Sequence, residues 1–74
     1  MPTAEEVKAR IESGIPGAVA EVTSDDNVHF NARVAAAEFA DLSLVEQHRR
    51  VYAIFGEGEL GGSIHALALT TETR

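Results

Sequence analysis

A strand, a capped helix and a second strand follow one another between residues 29 and 70, and this order most limits the possible folds. His29–Ala35 alternates apolar and polar side chains, which is typical of a strand with one buried and one solvated face. Ser43 and Glu46 have the spacing of a capping box for a helix that continues to Gly56. Ile64–Thr70 predicts a second strand, and a helical crossover of this kind allows the two strands to lie parallel.

The first residues of the chain predict a short amphipathic helix. Thr3 can cap it, because Glu6 follows three residues later in the pattern of a capping box. The helical spacing of apolar residues continues to about Ser13. We expect Gly14 to end the helix in a left-handed cap.

A hairpin is predicted between this helix and the crossover. Ala18–Thr23 favours a strand, and Ser24–Asn27 contains residue types that form turns by bonding nearby backbone amides. The strand before the turn and the strand after it should therefore pair antiparallel. At the other end of the chain, we expect Thr71–Arg74 to be frayed.

These elements predict a two-layer αββαβ sandwich of the α+β class, with both helices on one face of a three-stranded mixed sheet. The second helix should place one apolar stripe on that sheet. The residues of the predicted stripe are Leu44, His48, Val51, Tyr52 and Phe55.

Composition indicates a single domain, residues 1–74, and excludes several function classes. The chain has no cysteine, so it can supply neither a disulfide nor a thiolate metal ligand. Its net charge of −6 weighs against a protein that coats nucleic acid or binds an anionic membrane surface. With no apolar stretch long enough to cross a bilayer and no signal segment, we expect a cytoplasmic protein.

Histidines are the chemically distinctive residues. His65 opens an apolar strand, where an imidazole must bond a backbone carbonyl, reach water or coordinate a metal. His29 lies on the predicted solvent face beside the turn residues Asp25 and Asp26. A site that joins the two histidines requires the hairpin turn to reach the start of the last strand. The residues alone leave open whether the histidines are ligands or structural.

Two further motifs have structural alternatives. Gly56–Gly61 matches GxGxxG, but it follows a helix and contains two carboxylates, so we interpret it as a helix-to-strand loop and not a phosphate site. His48, Arg49 and Arg50 form a small basic cluster on the second helix. This cluster can bind an acidic partner, or it can consist of one edge histidine and two solvated arginines. No nucleophile with a base and an orienting group is visible in the sequence, so we expect a protein that is not an enzyme.

The chain resembles the BolA family from about Ile11 to Thr73. The most specific matches are Gln47–Tyr52, which is similar to the family's Arg-His-Arg-x-Val-Tyr motif, and Ile64–Leu67, which keeps its Ile-His-Ala-Leu strand. His29-Phe30 is similar to the family's signature in the second strand. The resemblance implies a fold like a class II KH domain.

The resemblance also implies a partner and a cargo. In the family, a monothiol glutaredoxin, glutathione and the BolA-like chain share a 2Fe–2S cluster, and the family's C-terminal histidine ligand maps onto His65. The second ligand is a loop Cys or His, and the usual Cys position falls here at Asp26. Three alternatives stay open: Asp26 is a weak second ligand, His29 substitutes for it, or His65 alone holds the cluster. His48, Arg49 and Arg50 would contact the glutaredoxin or its glutathione.

The resemblance therefore implies a non-enzymatic adaptor in iron–sulfur trafficking or iron sensing. The alternative is a transcription regulator that binds nucleic acid weakly, as the KH-like fold suggests. A third interpretation is a regulator that binds glutaredoxin and never carries iron.

Overall fold

The computed structural model describes residues 2–56 and 66–74. These residues form two helices and three strands, with a short 3-10 turn between the second strand and the second helix. In chain order they are α1 (Ala4–Gly14), β1 (Val19–Thr23), β2 (His29–Ala36), the 3-10 turn (Ala37–Asp41), α2 (Leu44–Tyr52) and β3 (Ala66–Thr73).

Strand β2 lies at the centre of the sheet, whose order is β1-β2-β3. It pairs antiparallel with β1, where Val19 lies opposite Ala35. It pairs parallel with β3, where His29 lies opposite Ala66. The predicted hairpin, crossover and α+β class are therefore confirmed.

Alternation along β2 separates a core face from an open face. Phe30, Ala32 and Val34 are buried, whereas the residues between them are exposed. The helices contribute further apolar side chains to the same face. The described core consists of Val7, Ile11, Ile15, Ala20, Phe30, Ala32, Val34, Ala36, Phe39, Val51, Phe55 and Leu67.

The expectation of a frayed C-terminal tail was wrong. Strand β3 continues to Thr73, which pairs with Ala36, and the Arg74 amide donates to the Ala36 carbonyl at 3.2 Å. The Arg74 guanidinium also donates to the Gly17 carbonyl at 2.8 Å. Because β2 is equally long, its backbone groups continue to pair with the last residues of the chain.

The expected end of α1 was also wrong in its backbone geometry. Gly14 remains helical, and the left-handed residue is Gly17, with φ of 78°. A Cβ atom on Gly14 would lie 2.7 Å from Cγ1 of Ile54, which follows α2. Gly14 is therefore needed for a close approach between α1 and the segment after α2, and not for a helix cap.

Helix α2 begins as predicted but ends earlier. The amide of Ser43 donates to the Glu46 carboxylate at 2.8 Å, and the Glu46 amide donates to the Ser43 hydroxyl at 3.2 Å, which completes the capping box. The helix ends at Tyr52 and not at Gly56.

One residue of the predicted apolar stripe was wrong. Leu44 is 60% exposed, because Phe39 and Leu42 from the preceding segment already pack at this end of the core.

The glycine loop after Gly56 and the first two residues of the predicted last strand, Ile64 and His65, lie outside the described residues.

Substitution of Gly14 by Ala should destabilise the protein by about 1 kcal/mol. Overpacking costs about 1–3 kcal/mol, which more than offsets the gain in helix propensity of about 1 kcal/mol. Urea denaturation measures the free energy of unfolding, with exposed Ser13→Ala in the same helix as control. The cost should shrink in an Ile54→Ala background. A Gly14→Ala variant that gains stability would contradict this account of the helix contact.

Candidate functional site

The turn between β1 and β2 is held by its own polar side chains. The Ser24 hydroxyl donates to the His29 carbonyl at 2.6 Å and accepts from the Asn27 amide at 2.9 Å. Asn27 has a φ of 59°, in the left-handed region that asparagine tolerates better than most residues. These contacts give the turn a defined shape and bring Asp26 to the start of β2.

The Asp26 carboxylate is the centre of this turn. Its Oδ1 accepts hydrogen bonds from the amides of Val28 at 3.0 Å and His29 at 2.9 Å. Its Oδ2 lies 2.7 Å from Nδ1 of the His29 imidazole. The His29 amide, followed by the His29 ring and the Val28 amide, holds the pKa of Asp26 well below its ordinary value. Asp26 is therefore ionised at neutral pH and structurally engaged.

His29 and Asp26 are accessible from solvent. Their side chains are 59% and 48% exposed, as expected for the open face of the sheet. A shallow cavity of about 210 Å³ adjoins them. It is lined by Thr23, Ser24, Asp25, Asp26, His29 and Asn31.

The start of β3 lies next to this turn. Ala66 is the register partner of His29, and its amide donates to the Val28 carbonyl at 3.1 Å. The hairpin turn therefore reaches the beginning of the described last strand. His65, which precedes Ala66 in the sequence, lies outside the described residues, so its role stays a prediction. Within residues 2–56 and 66–74, no group of three or more His, Cys, Asp or Glu side chains could hold a metal ion.

The three residues of the basic cluster predicted on α2 lie in different environments. Arg49 is exposed. Arg50 donates from Nε to the Glu38 carboxylate and from its guanidinium to the Gly14 carbonyl, both at 2.8 Å. His48 is half-buried, and its Nε2 has no hydrogen-bond partner in the described part of the chain. The structure thus ties Arg50 to the 3-10 turn and to α1, and leaves Arg49 as the exposed cation of this cluster.

Two contacts between α2 and β3 were not foreseen from the sequence. The Tyr52 hydroxyl donates to the Leu67 carbonyl at 3.1 Å, and the Thr71 hydroxyl donates to the Gln47 side-chain oxygen at 2.7 Å. Tyr52 belongs to the predicted apolar stripe, which was a signal for its contact with the sheet, whereas Gln47 lies outside that stripe and its contact with Thr71 had no signal in the sequence. Among the residues that the structure describes, no helix is long and apolar enough to cross a membrane.

Comparison with known families identifies the chain. The family description "BolA-like protein" matches residues 6–74. The chain belongs to the BolA family. A solved structure of a bolA protein homologue from Coxiella burnetii superposes with a TM-score of 0.84 at 32% identity, covering 99% of this chain and 92% of that one. The BolA domain of SufE1 from Arabidopsis thaliana superposes with a TM-score of 0.72 at 27% identity, covering 95% and 90%.

The names of the curated BolA relatives do not all indicate the same function. BolA-like protein 1 of Homo sapiens is 30% identical over 81 residues, which cover 97% of this chain and 58% of the relative. Protein BOLA1, chloroplastic, of Arabidopsis thaliana is 38% identical over 50 residues, covering 68% and 31%. The DNA-binding transcriptional regulator BolA of Haemophilus influenzae is 44% identical over 41 residues, covering 55% and 39%. The chain therefore spans less than two thirds of each of these proteins.

Arg50 and Arg49 should differ in their contribution to stability. Arg50→Gln removes an ion pair and a charge-assisted hydrogen bond to a carbonyl, and should cost about 1–2 kcal/mol. Arg49→Gln removes an exposed side chain and should change stability by less than about 0.5 kcal/mol. Urea denaturation of the two matched variants measures the difference. Equal losses would show that the contacts of Arg50 contribute nothing to the fold.

Proposed function

We propose that this BolA-family chain pairs with a monothiol glutaredoxin and contributes ligands to a 2Fe–2S cluster that the glutaredoxin and its glutathione also hold. The observation that supports this role is the position of the exposed His29–Asp26 pair. It lies beside Ala66, the first residue of β3, which His65 directly precedes in the sequence. The family relationship supplies the class of cargo and partner.

The donor atoms of the chain determine what the partner must provide. Iron–sulfur clusters are held mainly by cysteine thiolates, and this chain contains no cysteine. Imidazole can replace thiolate on one iron of a 2Fe–2S centre, as in Rieske clusters. The proposed complex therefore takes its thiolates from glutaredoxin and glutathione. His65 of this chain acts as one ligand, and either Asp26 or His29 acts as the other.

Arg49 is the residue of the basic cluster that best fits a docking role. It is exposed on α2, whereas Arg50 is held by Glu38 and Gly14. In a chain with net charge −6, one exposed guanidinium gives a local site for a carboxylate of glutathione or of the partner. The proposed adaptor binds and orients its cargo and performs no catalysis. A cytoplasmic location stays a prediction.

Spectroscopy of the mixed proteins tests this function. The full chain is mixed with a glutathione-loaded monothiol glutaredoxin that carries its cluster. We expect a heterodimer whose visible absorption and circular dichroism differ from those of the glutaredoxin homodimer. His65→Ala should return the spectrum to that of the homodimer, whereas Thr70→Ala, an exposed position on β3, should not.

The outcomes separate the interpretations. An unchanged spectrum with His65→Ala would refute the ligand assignment. A heterodimer that forms without retaining the cluster would favour a glutaredoxin-binding regulator that carries no iron. No heterodimer with the wild-type chain would refute the partnership itself.

Nucleic-acid binding is the alternative function, and the name of the Haemophilus influenzae relative favours it. The charge of −6 and the internal contacts of Arg50 weigh against it here. We expect no binding to duplex DNA at physiological salt. Binding that weakens steeply with salt, and disappears in an Arg49→Ala/Arg50→Ala double variant, would reverse this choice.

A further inference from the structure

We propose that the outer edge of β3 pairs with the same edge of a second copy of this chain, so that the two sheets join into one continuous sheet. The outer edge of β3 consists of its backbone N–H and C=O groups that point away from β2. This inference concerns the chain alone and does not rest on the proposed function.

The backbone groups of β3 alternate between β2 and the outer edge. The Ala66 amide donates to the Val28 carbonyl at 3.1 Å. At the other end of the strand, the Arg74 amide donates to the Ala36 carbonyl at 3.2 Å. The even-numbered residues therefore bond β2, and the odd-numbered residues direct their N–H and C=O groups outward. The outward residues are Leu67, Leu69, Thr71 and Thr73.

The outer edge of β3 lacks the protection that β1 has. Exposed strand edges are usually shielded by lysine or proline, by a short strand or by a covering group. Strand β1 has five residues, and its outward Ala20 amide donates to the Glu12 carboxylate at 3.0 Å. Strand β3 has eight residues and contains neither lysine nor proline. Its outer edge is therefore a template for another strand.

Tyr52 limits where a second strand can pair. Its hydroxyl donates to the Leu67 carbonyl at 3.1 Å, and among the described contacts this is the one hydrogen bond to the outward groups. The outward groups of Leu69, Thr71 and Thr73 are thus available. Opposite residues of an antiparallel pair can exchange both hydrogen bonds. A two-fold axis at Thr71 pairs Thr71 with its copy and Leu69 with Thr73 of the second copy, so the edge is complementary to itself.

Charge favours a second copy over a basic or an acidic peptide. Glu72 is the one charged residue of β3, so the strand matches another strand with little charge. In the register centred on Thr71, Glu72 lies opposite the neutral Thr70 of the second copy, and like charges are not directly opposed. Each copy carries −6 overall, so the association should be weak and should strengthen as salt screens the repulsion.

Hydrogen exchange of the full chain tests the edge directly. The outward amides of Leu69, Thr71 and Thr73 should exchange several-fold more slowly at about millimolar than at about micromolar protein concentration. The Ala68 amide, which faces β2, should be protected at both concentrations. The Val22 amide, on the same outward side of β1 as Ala20, should exchange at a rate that does not depend on concentration.

Thr73→Pro tests the hydrogen bonds between the copies. The missing N–H faces outward, so the ladder with β2 keeps its bonds, whereas each copy loses its bond to Leu69 of the other. The dissociation constant from sedimentation equilibrium should rise roughly tenfold or more, because two hydrogen bonds are lost. Thr73→Val keeps the amide and should leave the constant unchanged. Amide spectra establish that both variants are folded.

Each of the following results would overturn the inference. A chain that stays monomeric up to about millimolar concentration would refute self-pairing and leave the edge to an extended segment of another protein. A dimer that is unaffected by Thr73→Pro, or that leaves the outward amides of β3 exchanging as in the monomer, would use another surface. Association that weakens steeply with salt would be driven by opposite charges and not by this edge.

Discussion

The pairing of β2 with both of its neighbours is the constraint on which the rest of the structure depends. As the central strand it fixes two registers at once, antiparallel with β1 and parallel with β3. A shift of one residue would move Phe30 and Val34 out of the core, because side chains alternate between the faces of a strand. The register that buries these residues also exposes His29 and sets it opposite Ala66. Core packing and site geometry are therefore two consequences of one register.

The elements that could be predicted from sequence are those that depend on local patterns. The alternation of β2 and the capping box of Ser43 can each be recognised from residues that are close in the sequence, and both are present as expected. The wrong expectations depend on distant contacts. Gly14 is close to Ile54, forty residues away in the chain, and no local rule distinguishes this glycine from a helix cap. Leu44 continues the helical stripe in sequence, but the core at its end is filled by residues that precede the helix.

The candidate site shows the same division between local and distant contacts. From sequence alone, both Asp26 and His29 stay open as the second ligand, although a carboxylate suits an iron–sulfur centre less well than an imidazole does. The sequence does not show that the amides of Val28 and His29 donate to the Asp26 carboxylate, because these hydrogen bonds depend on the turn geometry around Asn27. Arg50 is a similar case. Its contacts with Glu38 and Gly14 join three elements, so the pattern of two adjacent arginines overstates the charge available to a partner.

The direction of α2 determines which of its residues can accompany the site. Gln47 contacts Thr71 and Tyr52 contacts Leu67, so the helix runs antiparallel to β3. Its last turn therefore lies towards the end of the sheet that holds His29, and its first turn lies towards the opposite end. With a rise of about 3.3 Å per strand residue, the two ends of β3 are roughly 23 Å apart.

The second half of α2, where Arg49 lies, is consequently at the same end of the domain as His29, although the helix covers the core face of the sheet and His29 lies on the open face. The exposed apolar residues of the first turn, Leu44 and Val45, belong to the other end of the domain. A docking surface that combines the turn around Asp26 with the C-terminal part of α2 would therefore have to extend around the end of the sheet. Because Arg50 in that part of the helix is bound internally, the electrostatic contribution of α2 to such a surface depends on Arg49.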